Sequence, residues 1–378
     1  YIAIMSFASL GLPSYLTKVL KDQKFEQPYP IQEKAIPSIL LGKDILGIAQ
    51  TGSGKTASFV LPILANLRPL KQVTSRHIDV LVLVPTRELA MQVDSVFQSF
   101  AKALPFPCKC MSVYGGPSIN VQMKALADVR VLVATPGRLL DLMAAKSIHL
   151  SRVHTLVLDE ADKILNLGFK KEMDEVLALL PEQRQNLLFS ATLSPKIEDV
   201  QRVLLHDPLI IQIEDKEDQI ETIHQEAYAV SPDQKGPLLR KLIEDKAMNQ
   251  VLIFTSSIHQ ADVVALKLKK NGFEVAAIHS KKSQYTRTEA LGDFKAGKLR
   301  ILVTTDLLAR GIDIQFLPYV INYELPRSPK DFIHRIGRTG RAEQSGEAIT
   351  FVTPEDEHHF KVIQKKMKKI VPFTEVTL

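Results

Sequence analysis

Residues 44–56 read Asp44-Ile45-Leu46-Gly47-Ile48-Ala49-Gln50-Thr51-Gly52-Ser53-Gly54-Lys55-Thr56, an apolar run that enters a glycine-rich turn. The stretch from Thr56 to Leu67 after the turn is compatible with a helix. A strand that feeds such a turn and then a helix aims several backbone N–H groups and the positive end of the helix dipole at one point. That point suits a polyphosphate, with Lys55 as a charge on the β- and γ-phosphates and the Thr56 hydroxyl as a Mg²⁺ ligand. The turn therefore predicts a nucleotide site formed by Thr51, Gly52, Ser53, Gly54, Lys55 and Thr56.

A second motif, Asp159-Glu160-Ala161-Asp162, follows the apolar run Leu156-Val157-Leu158. Because Mg²⁺ prefers oxygen ligands, we expect Asp159 at the tip of a buried strand to be the second metal ligand. Glu160 beside it is placed to polarise a water for attack on the γ-phosphorus. An acidic helix N-terminus is the alternative interpretation, and it is reasonable for Asp162 taken alone. With the glycine-rich turn, the motif predicts an ATPase in which Lys55 and Glu160 are catalytic.

Apolar, β-rich runs alternate with helical periodicity twice along the chain, near 44–49, 80–85, 109–114, 129–134, 154–158 and 186–190, and again near 251–255, 274–279, 300–304, 318–323 and 347–352. Such alternation predicts an α/β fold with parallel sheets covered on both faces and sites at the carboxyl ends of strands. A chain of 378 residues exceeds the size at which one core keeps growing, so we expect two domains. Their expected bounds are 1–207 and 222–378, joined by an exposed linker at 208–221 that contains Pro208 and a charged run.

Composition narrows the class of partner. The net charge of +6 and a pI near 9.0 favour a polyanion, although a lysine-rich surface alone would give the same balance. The longest apolar runs, such as 80–84 and 129–134, are of strand length and too short to span a bilayer. With no signal-peptide pattern ahead of them, these features predict a cytoplasmic protein without a membrane partner.

The chain has two cysteines, Cys108 and Cys110. On a strand they point to the same face, where an ordinary disulfide between them would be strained. Two ligands also fall short of a structural zinc site. We therefore expect both thiols to be reduced and to pack in a core.

From Phe7 to about Thr353 the chain resembles the DEAD-box ATP-dependent RNA helicases of superfamily 2. Besides the two motifs above, the resemblance is carried, in that family's order, by Phe25-Glu26-Gln27-Pro28-Tyr29-Pro30-Ile31-Gln32, Pro85-Thr86-Arg87-Glu88-Leu89-Ala90, Gly115-Gly116, Thr135-Pro136-Gly137-Arg138, Ser190-Ala191-Thr192, Gln284 with Arg287, Thr305-Asp306, Ala309-Arg310-Gly311-Ile312-Asp313 and His334-Arg335-Ile336-Gly337-Arg338-Thr339-Gly340-Arg341. It implies two RecA-like domains in tandem, ATP and Mg²⁺ as cofactors, and an RNA-stimulated ATPase. Phrases such as Ile48-Ala49-Gln50-Thr51 look like the bacterial RhlE-like group, which implies a setting in ribosome assembly or RNA decay.

The resemblance also implies roles at the ATP site. Phe25 would stack on adenine, and the Gln32 amide, which can donate and accept, would read the adenine edge. Asp313 would accept from the ribose hydroxyls, and Arg338 and Arg341 would act as arginine fingers on the transferred phosphoryl group. The sequence departs from the family at Lys24, where glycine is usual, and at Tyr29, where a small hydroxyl residue ties the adenine segment to the phosphate loop. The second departure predicts looser coupling between adenine binding and catalysis.

The expected RNA contacts are Thr86, Arg87, Gly116, Thr135, Gly137, Arg138, Gln284, Arg287 and Thr305. Contacts of these types reach phosphate and sugar, so the resemblance implies binding of single-stranded RNA without sequence preference. Hydrolysis would follow RNA-dependent domain closure, and clamping one strand would locally unwind short duplexes. Asp162, Ser190, Thr192 and His334 would couple the ATP and RNA sites.

Two other functions fit the two-domain frame. One is an ATP-dependent DNA helicase or translocase. Two features argue against it: the segment around Gln32 and the intact acidic motif. The other is a non-enzymatic RNA clamp that merely holds ATP, which would have no need of Lys55, Glu160 and both arginines. We expect an RNA helicase that acts as a monomer.

Overall fold

The computed structural model of the protein describes residues 6–50, 52–69, 76–213, 223–306, 314, 317–340 and 346–374. Its internal contacts divide the chain into two compact units, Tyr1–Asp215 and Lys216–Leu378. Each unit is a parallel sheet packed between helices, so the fold class expected from the sequence is confirmed.

The N-terminal unit alternates strands and helices. Its strands are β1 (Ile45–Ile48), β2 (Val80–Leu83), β3 (Lys109–Val113), β4 (Val129–Ala134), β5 (Thr155–Leu158), β6 (Gln185–Ser190) and β7 (Leu209–Gln212). Its helices are α1 (Ser14–Asp22), α2 (Pro30–Leu40), α3 (Lys55–Asn66), α4 (Arg87–Ala101), α5 (Ile119–Ala125), α6 (Pro136–Ala144), α7 (Ala161–Asn166), α8 (Lys170–Ala178) and α9 (Pro195–Leu204), after a short 3₁₀ helix at Phe7–Leu10. The strand order is β3-β4-β2-β5-β6-β1-β7.

Strands β1, β2, β4 and β5 are buried on both faces, as expected for a parallel sheet between helices. In β2, Val80 and Val82 pack into the core shared with α2, α3 and α4, whereas Leu81 and Leu83 pack into the core on the opposite face. The alternation follows from the two-residue period of a strand.

Strand β7 lies within the stretch that the sequence assigned to the linker. Its residues pair in parallel with β1, and Ile211 is buried against the core that contains α2. The apolar run at 209–211 extends the sheet by one strand: its backbone pairs with β1, and Ile211 packs into the core. The rest of the expected linker, residues 214–221, lies outside the described residues.

The C-terminal unit repeats the pattern. Its strands are β8 (His224–Ala229), β9 (Val251–Thr255), β10 (Val275–Ile278), β11 (Ile301–Thr305), β12 (Tyr319–Asn322) and β13 (Glu347–Val352), in the order β10-β11-β9-β12-β13-β8. Its helices are α10 (Lys235–Asp245), α11 (Ile258–Lys270), α12 (Gln284–Lys295), α13 (Pro329–Ile336) and α14 (Glu357–Met367), with a 3₁₀ turn at Pro354–Asp356. Three apolar clusters fill the space between this sheet and its helices.

The motifs singled out in the sequence follow the carboxyl ends of the strands. In the N-terminal unit, β1 leads to α3, β2 to α4, β4 to α6 and β5 to α7 through short connections. Because parallel strands end at the same edge of the sheet, these four connections are collected along one edge.

Two further expectations concern the cysteines and the membrane. Cys108 and Cys110 are free thiols, and Cys110 is buried in the core beneath α4. Within the described ranges, no helix is long and apolar enough to cross a bilayer.

Gly47 in β1 tests how tightly the N-terminal sheet is packed. A Cβ at this position would lie 2.6 Å from Cδ1 of the buried Phe189 ring, so Gly47→Ala should destabilise the N-terminal unit by about 1–3 kcal/mol through overpacking. Gly292 in the exposed face of α12 has nothing within 4 Å of such a Cβ, and Gly292→Ala should stabilise the C-terminal unit by about 0.5–1 kcal/mol. Urea unfolding followed by hydrogen-exchange mass spectrometry reports the two units separately. A Gly47→Ala protein as stable as the parent would contradict the packing described here.

Candidate functional site

The glycine-rich turn after β1 forms a loop with its amides at the start of α3. Gly52 and Gly54 adopt left-handed backbone conformations, with φ of +90° and +86°. The Ser53 hydroxyl donates to the Gln50 carbonyl at 2.8 Å and closes the turn. The Thr56 side chain lies half-buried in the first turn of α3, whereas Thr51 lies outside the described residues. The first N–H groups of a helix lack partners within the helix, so this loop is a site for an anion.

Lys55 is held inside the loop. Its Nζ donates to the carbonyl oxygens of Ala49 at 2.6 Å and Gln50 at 2.7 Å. Burial lowers the pKa of this ammonium group, and the nearby carboxylates of Asp159 and Glu160 act in the opposite direction. The charge is therefore kept at the phosphate loop by two neutral carbonyl groups and by two acidic side chains.

Two buried carboxyl groups end β5. Asp159 is 2% exposed, and its Oδ1 accepts from the backbone N–H of Glu160 at 2.9 Å. Burial raises the pKa of Asp159 to about 6; Glu160 adds to this rise and Lys55 opposes it. Glu160 has a φ of +53°, an uncommon conformation for a residue with a side chain.

Lys163 is a residue that the sequence interpretation missed. Its Nζ lies 2.5 Å from Oε1 of Glu160, and both side chains are nearly buried. The other oxygen, Oε2, is buried without a hydrogen-bond partner. One oxygen of Glu160 is thus anchored and the other is available. The i,i+3 spacing of the two residues was the signal that could have revealed the pair.

The donors around this edge fit a magnesium nucleotide. The Thr56 hydroxyl and the Asp159 carboxylate are hard oxygen ligands, and a bound cation would favour the ionised form of Asp159 against its burial. Within the part of the chain that the structure describes, no three His, Cys, Asp or Glu side chains cluster as a metal site. Mg²⁺ in proteins usually keeps several waters and binds through one or two carboxylates and substrate phosphates.

The segment around Gln32, which is expected to bind adenine, is joined to the phosphate loop by hydrogen bonds. Nε2 of Gln32 donates to the Gly54 carbonyl at 3.0 Å, and its Oε1 accepts from the Tyr29 N–H at 2.9 Å. Phe25, 37% exposed, packs by its ring against Phe7 and Phe100. The departure from the family at Tyr29 therefore leaves a direct link between the two segments.

The backbone conformation at Lys24 accounts for the glycine that the family usually has at this position. It adopts a φ of +61°, in the left-handed region that favours glycine. The backbone at this position has the conformation that the usual glycine would adopt without strain.

Several expected RNA contacts of the N-terminal unit meet at the ends of β2 and β3. A Cβ on Gly116, whose φ is +112°, would lie 2.4 Å from Nη1 of Arg87, so the guanidinium of Arg87 lies directly on this glycine. The Thr86 hydroxyl caps α4 by accepting from the Leu89 N–H at 3.2 Å. These residues form a surface of backbone amides, hydroxyl and guanidinium groups.

Arg138, another expected RNA contact, is bound to the backbone of its own unit. Its Nη1 and Nη2 donate to the Pro117 carbonyl at 3.1 and 3.0 Å, and its side chain is 9% exposed. In this structure Arg138 fixes the turn after Gly116. Thr135 precedes α6, and a Cβ on Gly137 would meet no atom within 4 Å, so the backbone there is open to a ligand.

The expected coupling residues of the N-terminal unit lie together at the end of β6 and in the first turn of α7. The Ser190 hydroxyl donates to the Thr192 carbonyl at 2.8 Å, and Oδ1 of Asp162 accepts from the Ala191 N–H at 3.5 Å. The acidic motif and the Ser190–Thr192 turn are therefore in direct contact.

In the C-terminal unit, Arg287 donates to Oε1 of Gln284, and Thr305 ends β11. His334 lies in α13, and Arg338 is buried, with Nη1 3.5 Å from the Ile314 carbonyl. Asp313 and Arg341 lie outside the described residues.

Sequence interpretation gave Arg335 no role, yet its side chain is among the largest fully buried ones of the residues that the structure describes. It binds the Asp306 carboxylate with two bonds of 2.5 and 2.8 Å, donates to Asn322 Oδ1 and the Glu324 carbonyl, and lies over the Phe254 ring. It ties the end of β11 to α13.

A parallel sheet with a glycine-rich phosphate loop, a buried lysine and an acidic pair at a nearby strand end defines the P-loop class of nucleoside triphosphatases. Two family models match the chain: "DEAD/DEAH box helicase" over residues 29–200 and "Helicase conserved C-terminal domain" over residues 234–343.

Individual relatives give the same result. The chain is 37% identical to the ATP-dependent RNA helicase CshA of Listeria monocytogenes over 96% of this chain and 69% of that protein. It is 39% identical to the ATP-dependent RNA helicase DeaD of Haemophilus influenzae over 97% of this chain and 59% of that protein. Among solved structures, S. cerevisiae Dbp5 bound to RNA and ADP BeF3 superimposes with a TM-score of 0.83 at 31% identity, covering 98% of this chain and 95% of that one. The chain therefore belongs to the DEAD-box family of RNA helicases.

Gly54 is the position at which the phosphate loop and the adenine segment can be tested together. A Cβ there would lie 2.5 Å from Nε2 of Gln32 and 2.8 Å from Cδ2 of Tyr29, in a backbone conformation that disfavours side chains. Gly54→Ala should weaken ATP and ADP binding at least about tenfold, because it opens the link and distorts the loop. Gly137→Ala, with nothing near its Cβ, is the control. Unchanged nucleotide affinity by titration calorimetry would contradict this geometry.

Proposed function

We propose that this protein is an ATP-dependent RNA helicase that binds single-stranded RNA without sequence preference, hydrolyses ATP and locally separates short duplexes. The proposal rests chiefly on Glu160, which is buried beside the phosphate loop with one oxygen anchored by Lys163 and the other without a partner. A buried, partly unsatisfied carboxylate at a polyphosphate site is the arrangement that a general base requires.

The residues at the phosphate loop have different roles in hydrolysis. The amides at the start of α3 bind the phosphates, and Lys55 exchanges its two carbonyl acceptors for phosphate oxygens. Oε2 of Glu160 accepts a hydrogen bond from the attacking water and then its proton. Thr56 and Asp159 would hold Mg²⁺, which supplies charge neutralisation for the phosphates.

The C-terminal unit contributes cations and RNA contacts in this proposal. Arg338 and Arg341 act as arginine fingers and Asp313 binds the ribose, as the family resemblance implies. Arg338 is buried in the described structure, so this role requires its side chain to move from its position near Ile314.

RNA binding in this proposal uses the surface at the ends of β2, β3 and β4. The Arg87 guanidinium, the Gly116 backbone and the open backbone at Gly137 offer contacts to phosphate and sugar. Such contacts carry no direct base information, so binding is independent of sequence. RNA accelerates hydrolysis to the extent that it binds the catalytically competent state better than the others.

Four more specific expectations about this protein stay predictions. They are membership of the RhlE-like group, a setting in ribosome assembly or RNA decay, a monomeric state and a cytoplasmic location. The relatives named above support the RNA helicase activity itself.

The decisive experiment is steady-state ATP hydrolysis by the whole chain without nucleic acid, with single-stranded RNA, and with DNA of the same sequence. We expect stimulation by RNA alone. Equal stimulation by DNA would indicate a DNA translocase, and no turnover under any condition would indicate a clamp that only binds ATP and RNA.

Glu160→Gln tests the assignment of the base. This change keeps the shape of the side chain and removes its proton acceptor, so turnover should fall about 10²–10⁴-fold while ATP and RNA binding persist. Glu182→Gln, the same chemical change at an exposed position, is the matched control. Persistent turnover in Glu160→Gln would show that another group is the base.

Substitutions at Gly116 and at its neighbour Gly115 test RNA binding separately from nucleotide binding. Gly116→Ala would force the Arg87 guanidinium aside, so RNA affinity should fall about tenfold or more and ATP affinity should not change. Gly115→Ala places its Cβ 3.7 Å from Arg87, an ordinary contact, and should bind RNA nearly as well as the parent. Fluorescence anisotropy with labelled RNA measures both. Equal losses in the two variants would count against the proposed RNA surface.

A further inference from the structure

Glu160 is held by hydrogen bonds at nearly all of its polar atoms. Its backbone N–H donates to Oδ1 of Asp159 at 2.9 Å, and its carbonyl accepts from the N–H groups of Lys163 at 2.8 Å and Ile164 at 3.2 Å. Its side-chain Oε1 accepts from Nζ of Lys163 at 2.5 Å. Oε2 is buried without a hydrogen-bond partner among the residues that the structure describes. Oε2 is therefore the atom of Glu160 that stays open to a ligand.

Lys163 binds Glu160 through its backbone and through its side chain. The backbone bond belongs to the first turn of α7, which begins at Ala161. The side-chain bond joins two groups that are only 11% and 5% exposed. A hydrogen bond between charged groups is stronger than one between neutral groups, and water screens it less when both groups are buried. The ammonium group of Lys163 therefore fixes the position of Oε1.

The backbone conformation of Glu160 makes this fixation important. With φ of +53° and ψ of +45°, Glu160 lies in the left-handed region just before α7. A glutamate side chain has several rotatable torsions, and ordering them costs conformational entropy. A bond at Oε1 restricts these torsions and leaves Oε2 as the oxygen that can accept from another group. Lys163 thus decides which oxygen of Glu160 is available.

A purely structural ion pair is the alternative explanation. Such a pair is expected to satisfy both oxygens of a buried carboxylate, because a buried acceptor without a partner costs free energy. Here one oxygen is bound, whereas the other is buried and unpaired at the end of β5. A carboxylate that must accept a hydrogen bond from a reacting water requires this asymmetry.

The same pair affects the charge that a nucleotide meets. Lys55 donates to two neutral carbonyl groups, whereas Lys163 forms an ion pair with Glu160. An incoming polyphosphate brings more negative charge, and an ion-paired carboxylate repels it less than an unpaired one does. Loss of Lys163 should therefore weaken ATP binding slightly in addition to releasing Oε1.

We propose that Lys163 is a positioning residue for ATP hydrolysis, whose ammonium group holds Oε1 of Glu160 so that Oε2 faces the attacking water. The inference rests on the proposed function, in which Glu160 is the general base. Lys163 itself touches neither the water nor the phosphates; it acts through Glu160.

Substitutions at Lys163 test this role in single-turnover hydrolysis at saturating ATP and RNA. Lys163→Met removes the ammonium group and should slow hydrolysis about ten- to hundredfold, the order of loss that a misplaced group causes. The Kd for ATP should rise only a few-fold, and the Kd for RNA should not change. Lys163→Arg keeps a charged donor and should recover much of the rate, and Lys163→Gln, with a neutral donor, should give a rate between those two.

The matched control is Lys171→Met, the same chemical change at an exposed position of α8, which should hydrolyse ATP at the parent's rate. Thermal melting should confirm that each variant is folded. If Lys163→Met is not folded, the difference in rate between Lys163→Arg and Lys163→Gln carries the test. Equal rates in those two variants would then overturn the proposal.

A double variant tests whether Lys163 acts through Glu160. Residues that act as a unit have non-additive effects, so Glu160→Gln with Lys163→Met should hydrolyse ATP no more slowly than Glu160→Gln alone. Losses that multiply would show that Lys163 acts through another group. A loss confined to the Kd for ATP would contradict the positioning role as well.

The outcomes distinguish this inference from the proposed function. A parent chain without RNA-stimulated turnover, or an active Glu160→Gln protein, would refute the proposed function and this inference with it. An active parent and an inactive Glu160→Gln protein would support the base. If Lys163→Met then hydrolysed ATP at the parent's rate, only the role of Lys163 would be overturned.

Discussion

The N-terminal unit depends on keeping three charged groups out of water at one edge of its sheet. Asp159, Glu160 and Lys55 are each less than a tenth exposed, and burial is the largest influence on the pKa of both Asp159 and Lys55. Taking such ions out of water costs several kcal/mol each unless partners replace the lost hydration. Here the groups partly compensate one another, and two loop carbonyls complete the shell of Lys55. Gly52 and Gly54 turn the chain in left-handed conformations between those two carbonyls and Lys55, and glycine adopts such conformations without steric cost.

Much of this arrangement could be predicted from the sequence because it is local. The apolar run, the glycine-rich turn and the acidic motif each span a few residues, and strand ends in a parallel sheet necessarily share an edge. The fold class followed from the alternation of strands and helices. The boundary after the first domain was harder: Pro208 and nearby charges indicated a linker, but the apolar residues at 209–211 complete the sheet as β7. The sequence of a short apolar run does not show whether the run packs against a hydrophobic core.

Contacts between distant positions could not be predicted in this way. The bond from Gln32 to the Gly54 carbonyl, and that from Arg138 to the Pro117 carbonyl, each join residues more than twenty positions apart. Residue type does not decide whether a guanidinium faces solvent or a carbonyl; the neighbouring backbone does. Arg138 therefore has the residue type of a nucleic-acid contact and the environment of a structural one. Lys163 shows the converse, because its spacing from Glu160 was visible although the burial of the pair was not.

The same reasoning separates a cation that can act from one that only holds the structure together. Lys55 is bound by two neutral carbonyls, so an incoming phosphate, which is charged, offers it a better partner. Arg335 in the C-terminal unit is bound by a carboxylate through two bonds, by two further oxygens and by an aromatic face. The planar guanidinium is itself buried, and it cannot leave this set without leaving the half-buried Asp306 carboxylate without its ion pair. Lys55 in the phosphate loop and Arg335 between β11 and α13 are therefore not interchangeable. In the proposed reaction the ammonium group of Lys55 must change partners, whereas the guanidinium of Arg335 must keep its partners.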